Sequence, residues 1–141
     1  MSGLTRIDNL GQRVARSRMD HKILVVDDSP LVRRGIRASI ERHKGWMVCG
    51  EAENGKIAVL MVGTHKPHLV ILDLSMPVMN GIDAAKEISR IAPGLPMILF
   101  TLHAHDTIRG VAHDAGIKHV FSKADGMGDH VFEAMTALLA A

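Results

Sequence analysis

The chain has 141 residues, 47% of them apolar, a single cysteine and a formal net charge of +2. That length closes one core without staples, that apolar content excludes a disordered chain, and one cysteine excludes a disulfide framework and fits a reducing compartment. The charge excess lies in the first twenty residues, where Arg6, Arg13, Arg16 and Arg18 face Asp8 and Asp20, and the balanced remainder has no basic stripe for nucleic acid.

No apolar run is long enough for a membrane span, and the N-terminus lacks the apolar centre of a signal peptide. The expectation is a cytoplasmic protein that itself binds neither nucleic acid nor membrane. Residues 1–20 differ from the rest in composition. Leu4, Ile7, Leu10 and Val14 recur at helical spacing, with Gly11 interrupting them. They read as a mobile N-terminal extension that the domain over 21–141 does not need.

From Lys22 a regular alternation sets in. Residues 23–26 form an apolar run that ends in Asp27-Asp28, and Ser29-Pro30 offers an N-cap followed by a first-turn proline. Leu31, Val32, Ile36 and Ile40 make an inward stripe, with Arg33, Arg34, Arg37 and Glu41 outward, on a helix reaching toward Gly45. Trp46 to Val48, extending toward Ala52, is a second strand, in which Cys49 reads as a buried, inert thiol. Asn54-Gly55 opens a helix with Ile57, Leu60 and Met61 inward, Gly63 ends it, and Pro67 bars its continuation.

The third strand, Leu69 to Leu72, runs straight into a lone carboxylate, Asp73, and then turns through Ser75, Met76 and Pro77 to Asn80-Gly81. A helix follows from about Ile82, with Ala84, Ile88 and Ile91 on one face and Pro93-Gly94 as its stop. Residues 97–100 deliver Thr101, and after them Asp106 or Thr107 caps a helix carrying Ile108, Val111 and Ala115, which Gly116 terminates. Residues 117–121 lead to Ser122 and Lys123. Asp129 caps the last helix, whose Val131, Met135 and Leu138 point inward.

Strand and helix thus alternate five times, the pattern of a parallel α/β sheet covered on both faces. In such a sheet all strands end at one edge, and ligands bind there. That edge receives Asp27, Asp28, Asp73, Thr101 and Lys123, with Glu51 and Glu53 peripheral. Three carboxylates in one crevice need a counter-charge, and a hard divalent cation such as Mg²⁺ supplies it while keeping places for phosphate oxygens. Lys123 and Thr101 add a point charge and a hydroxyl donor, so the crevice suits an acidic nucleophile that receives a phosphoryl group. Asp27-Asp28 alone would read as helix N-terminal acids, and Thr101 alone as an ordinary strand end. His103, His105 and His113 fall on or beside a surface helix without a cysteine partner and read as solvated, and the nine methionines read as core filler.

The pieces ILVVDDSP, GEAENG, LVILDLSMPVMNG, the threonine after MILF and the lysine of FSK stand in order, with 28 residues from Asp73 to Thr101 and 50 to Lys123. From Lys22 to about Ala140 the chain resembles a receiver domain of bacterial two-component response regulators, of the CheY-like superfamily and closest to the NarL/FixJ type. The resemblance implies a flavodoxin-like (βα)5 fold, doubly wound, with a five-stranded parallel sheet in the order 2-1-3-4-5. It implies Asp73 as phosphoacceptor and metal ligand, Asp27 and Asp28 as the acidic pair for Mg²⁺, Ser75 as a ligand through its backbone carbonyl, Thr101 as switch hydroxyl and Lys123 as phosphoryl contact. The implied donor is a sensor histidine kinase or a histidine phosphotransfer protein. The implied output is a switch of the face formed by the fourth helix, fifth strand and fifth helix, near residues 106–140, which can also serve a homodimer.

Two positions depart from the family pattern. Val120 stands where the switch aromatic is usual, with Phe121 beside it, and Leu102 stands where a small residue is usual. Leu102 is expected to hinder attacking water and slow self-dephosphorylation. Two other readings stay open: a receiver cut from a LuxR/NarL-type DNA-binding transcription factor, and an aspartyl-nucleophile phosphatase, for which the chain offers no insertion long enough for a cap. A flavin-binding module lacks a phosphate-cradling loop and any tyrosine.

Overall fold

The apolar rows 23–26, 69–72 and 97–100 can be buried on both faces only in the middle of a covered sheet, and that is where they lie. The computed structural model describes residues 6–7, 13–14 and 20–140. The strands are β1 (His21–Val26), β2 (Trp46–Ala52), β3 (Leu69–Leu72), β4 (Met97–Thr101) and β5 (His119–Ser122). The helices between and after them are α1 (Pro30–Glu41), α2 (Gly55–His65), α3 (Gly81–Ile91), α4 (Asp106–Asp114) and α5 (Asp129–Ala140). All five strands are parallel, in the order β2-β1-β3-β4-β5. The flavodoxin-like order expected by resemblance is the order found.

Strand alternation divides the core in two. Leu24, Val26, Val70, Leu72, Met97, Leu99 and Val120 face α2, α3 and α4. Ile23, Val25, Leu69, Ile71, Ile98 and Phe100 face α1 and α5. A register shift between Ile23 and Leu24 passes over Cys49, leaving it in a bulge of β2. Cys49 is half-buried there and not fully buried as expected, and burial pushes its thiol up.

The helix starts follow their caps. The side chains of Ser29, Asn54 and Asn80 accept from the backbone N–H groups of Val32, Ile57 and Asp83. The fourth cap is His105, whose Nδ1 accepts from Ile108, in place of the expected Asp106 or Thr107. The helix ends differ more. α1 stops at Glu41, well before Gly45, and α2 runs through Gly63 to His65, where Lys66 takes the left-handed cap with φ 48°.

Several inward assignments also fail. Leu31, Leu60, Ile91 and Val111 are exposed, and the faces turned to the sheet are built from Ala58, Val62, Ala84, Ala85 and Ala112. Near the N-terminus Arg6–Ile7 and Arg13–Val14 form a short antiparallel pair, so Ile7 and Val14 do not continue a helical stripe. The remainder of the reading for residues 1–20, including Leu4 and Leu10, lies outside the described residues.

Candidate acidic site

The site forms where β1, β3 and β4 end and the turn after β5 begins. Asp27 leaves β1 with every polar group engaged. Its N–H donates to Ala52 at 3.0 Å, its Oδ1 accepts from the Ser29 N–H at 2.9 Å, and its carbonyl accepts from Arg33 at 2.6 Å. Asp73 leaves β3 with its N–H donating to the Val26 carbonyl at 2.9 Å and its Oδ1 accepting from the Leu74 N–H at 2.8 Å. Lys123 enters from a 3-10 turn spanning Lys123–Asp125 and bridges both acids, with Nζ 2.6 Å from Asp27 Oδ2 and 3.3 Å from Asp73 Oδ2.

Asp27 and Asp73 are buried, whereas Asp28 faces solvent. One carboxylate oxygen from each of the three lies within 4.8 Å of the others, and this is the cluster among the described residues able to hold a metal ion. Burial and the Asp27 carboxylate push the Asp73 carboxyl above its ordinary range, although Lys123 acts in the opposite sense. Burial alone would lower Lys123, but its pairing with Asp27 and Asp73 prevails and holds its ammonium above the ordinary value. Asp27 therefore opposes the charge on Asp73, while one ammonium pairs with only two of the three clustered carboxylates. A hard divalent cation fits that oxygen donor set and its unbalanced charge.

A cavity of about 470 Å³ opens over the cluster, lined in part by Asp27, Asp28, Asp73, Ser75 and Lys123. Thr101 is wholly buried at the end of β4, and its hydroxyl accepts from the His103 N–H at 3.1 Å. Its neighbours Leu102 and His103 line the cavity in its place, Leu102 with 71% of its surface exposed. Val120 packs in the core on the α4 side of the sheet. Phe121, one residue on, points to the other face, where its ring lies between those of His119 and His130. Phe121 therefore does not stand in for a side chain at Val120.

Glu51 lies outside the acidic cluster and its cavity, peripheral as expected, and is held by two arginines. It binds Arg33 at 2.9 Å and Arg37 at 2.7 Å, and although burial would raise its carboxyl, the two guanidinium groups hold it low. Arg33 was legible only as a wet-face residue of α1. Its reach to the Asp27 carbonyl crosses only the turn into α1, but its bond to Glu51 depends on how α1 lies against β2, which no local pattern encodes.

The chain matches the family model for the response regulator receiver domain over residues 23–130. It is 34% identical over 119 residues to the transcriptional regulatory protein YdfI of Bacillus subtilis, covering 84% of this chain and 55% of that protein. Its fold is similar to that of a two-component response regulator of the LuxR family from Aurantimonas, with a TM-score of 0.79 at 31% identity, covering 86% of both chains. It is also similar to the response regulator domain of Thermotoga maritima CheB, with a TM-score of 0.78 at 26% identity, covering 86% of this chain and 98% of that one. The chain spans about half the length of YdfI, and about a fifth of a Pseudoalteromonas atlantica protein-glutamate methylesterase that it also matches.

Proposed function

We propose how the site works from one premise: the chain belongs to the response regulator receiver domain family and is a receiver of two-component signalling. Asp73 is read as the phosphoacceptor. The observation that carries this is the placement of its carboxylate at the end of β3, 3.3 Å from Lys123 and clustered with Asp27 and Asp28. In the proposed step an Asp73 oxygen attacks phosphorus, an acyl phosphate forms, and the bond to the donor nitrogen breaks with its electron pair left on the imidazole. Lys123 balances charge on the phosphoryl oxygens. Asp27, Asp28, Asp73 and the backbone carbonyl of Ser75 are the residues that would hold Mg²⁺. When bound, that ion neutralises phosphate charge and lets three carboxylates ionise together. The test is labelling by acetyl phosphate with Mg²⁺, comparing wild type with Asp73→Asn.

The switch reading rests on Thr101. Its hydroxyl accepts from His103 in this state, and exchanging that contact for a donor bond to the phosphoryl group would move the loop before α4. Arg109 of α4 donates to the Val120 carbonyl at 2.9 Å, so a shift of α4 reaches β5 directly. The partners proposed are a histidine kinase or phosphotransfer protein as donor, and a second copy or an output domain on the α4-β5-α5 face. Residues 21–141 are read as the receiver and residues 1–20 as an extension to it. The similarity to the transcriptional regulatory protein YdfI favours a transcriptional output when the receiver is part of a longer chain. A cytoplasmic location accords with the family, and among the described residues no helix is long and apolar enough to cross a membrane.

A further inference from the structure

Asp27 is fixed from four sides, and the least expected of its partners is Arg33. That guanidinium is only 16% exposed and donates through one nitrogen to the Asp27 carbonyl at 2.6 Å, a short charge-assisted bond. Its Nε donates to Glu51 Oε1 at 2.9 Å. Glu51 in turn is braced through its other oxygen by Arg37, which also reaches Glu41 and makes no bond to the acidic site. A chain of contacts therefore runs from β2 through Glu51 and Arg33 into the backbone from which Asp27 and Asp28 project.

Resting on the phosphoacceptor reading above, we propose that Arg33 is a positioning residue, aimed by Glu51, that sets the backbone of the acidic pair for a divalent cation. The physical case turns on sign. Arg33 is a positive charge bonded to the backbone of the acidic pair, so by charge alone its loss would tighten cation binding. By geometry its loss frees the Asp27 carbonyl and the turn into Asp28, and residues that orient metal ligands from behind are worth about 10-fold or more in affinity. The two effects predict opposite results.

The experiment is titration of the purified chain with Mn²⁺, following free ion by electron paramagnetic resonance, alongside a thermal melt of each variant. Arg33→Ala is expected to weaken Mn²⁺ binding about 10-fold. Arg33→Lys, which can reach only one of the two acceptors, is expected to recover part of that loss. Glu51→Gln keeps the shape but not the charge that aims Arg33, is the milder variant should Arg33→Ala fail to fold, and is expected to weaken binding severalfold. Arg37→Ala removes one brace of Glu51 and leaves the Arg33 contacts to Glu51 and Asp27 in place, so it should lower the melting temperature while weakening Mn²⁺ binding less than Glu51→Gln does. Equal or tighter Mn²⁺ binding by Arg33→Ala or Glu51→Gln, or an equal loss in Arg37→Ala, overturns the proposal. Failure of the wild type to take up Mn²⁺ would overturn the reading of the acidic site, and this inference with it.

Discussion

A Cβ atom placed on Gly81 would overlap the carbonyl oxygen of Asp73. The first residue of α3 is thus pressed against the backbone of the proposed phosphoacceptor, and the Gly81 N–H donates to Leu74 at 2.9 Å. Close approach, not a left-handed φ, demands glycine here. Gly81→Ala is expected to cost about 1–3 kcal/mol of stability as the overlap pushes the loop aside. Because the displaced backbone is that of Asp73, acetyl phosphate labelling should fall as well. Urea unfolding and labelling of the same preparation check both, and a variant as stable and as reactive as wild type would contradict the close approach.

Lys123 bridges two buried acids, so its removal has a defined sign. Lys123→Met leaves Asp27 and Asp73 facing each other without a cation and is expected to cost about 3 kcal/mol or more at neutral pH. Adding Asp27→Asn to it should recover part of that loss.

The pH dependence follows from the same trio. Burial and Asp27 raise the Asp73 carboxyl and Lys123 lowers it. Without a bound cation the Asp73 carboxyl should therefore titrate above the ordinary carboxylate range, and Mg²⁺ should bring it down. Lys123→Met moves the metal-free titration to higher pH and Asp27→Asn moves it to lower pH, and the Asp73 carboxyl resonance followed by nuclear magnetic resonance over a pH series without Mg²⁺ reads both shifts. For stability, the Asp73 pKa is raised on folding, so stability contributed by this group grows as pH falls through that raised value. The Lys123 pKa is raised too, so its contribution is full below the ordinary lysine value of 10.5 and is lost as pH rises through the folded one.

Val78 holds φ 69° with 77% of its surface exposed, between Pro77 and Met79 in the loop after β3. A β-branched residue in the left-handed region carries about 1–3 kcal/mol of strain. Val78→Gly relieves it, and after the greater freedom of glycine in the unfolded chain a net gain of about 1 kcal/mol is expected. Denaturant midpoints of the two proteins decide the matter, and a lower midpoint for Val78→Gly would remove the strain.

Leu102 lines the cavity over the acidic cluster, with much of its side chain still open to solvent. Slow loss of the phosphoryl group is therefore expected in the wild type, and Leu102→Ala should hydrolyse severalfold faster. Equal decay of the purified phosphorylated proteins in the presence of Mg²⁺ would count against a shielding role.

The strands and the site were the most legible parts of the chain, for one physical reason. A parallel strand buried on both faces must be continuously apolar, so Asp27, Asp73 and Thr101 stand out where such runs end. Helix faces were harder to read. Ile36, Ile40, Ala84 and Ile88 face inward as read, but Leu60 and Val111, also taken for the inward stripe, turn out to solvent while the smaller Ala58 and Ala112 pack against the sheet. Helix ends depended on single residues such as Lys66, which adopts a left-handed cap without being glycine or asparagine. The Arg33–Glu51 link joins residues 18 positions apart and exists only once α1 lies on β2, so sequence periodicity could not announce it.

The most direct measurement of the proposed role of Asp73 is phosphoryl incorporation from acetyl phosphate with Mg²⁺, scored as acid-stable, base-labile label on intact protein. Wild type should take up one such group per chain and Asp73→Asn none, with both proteins equally folded. Equal labelling of the two would contradict Asp73 as the acceptor.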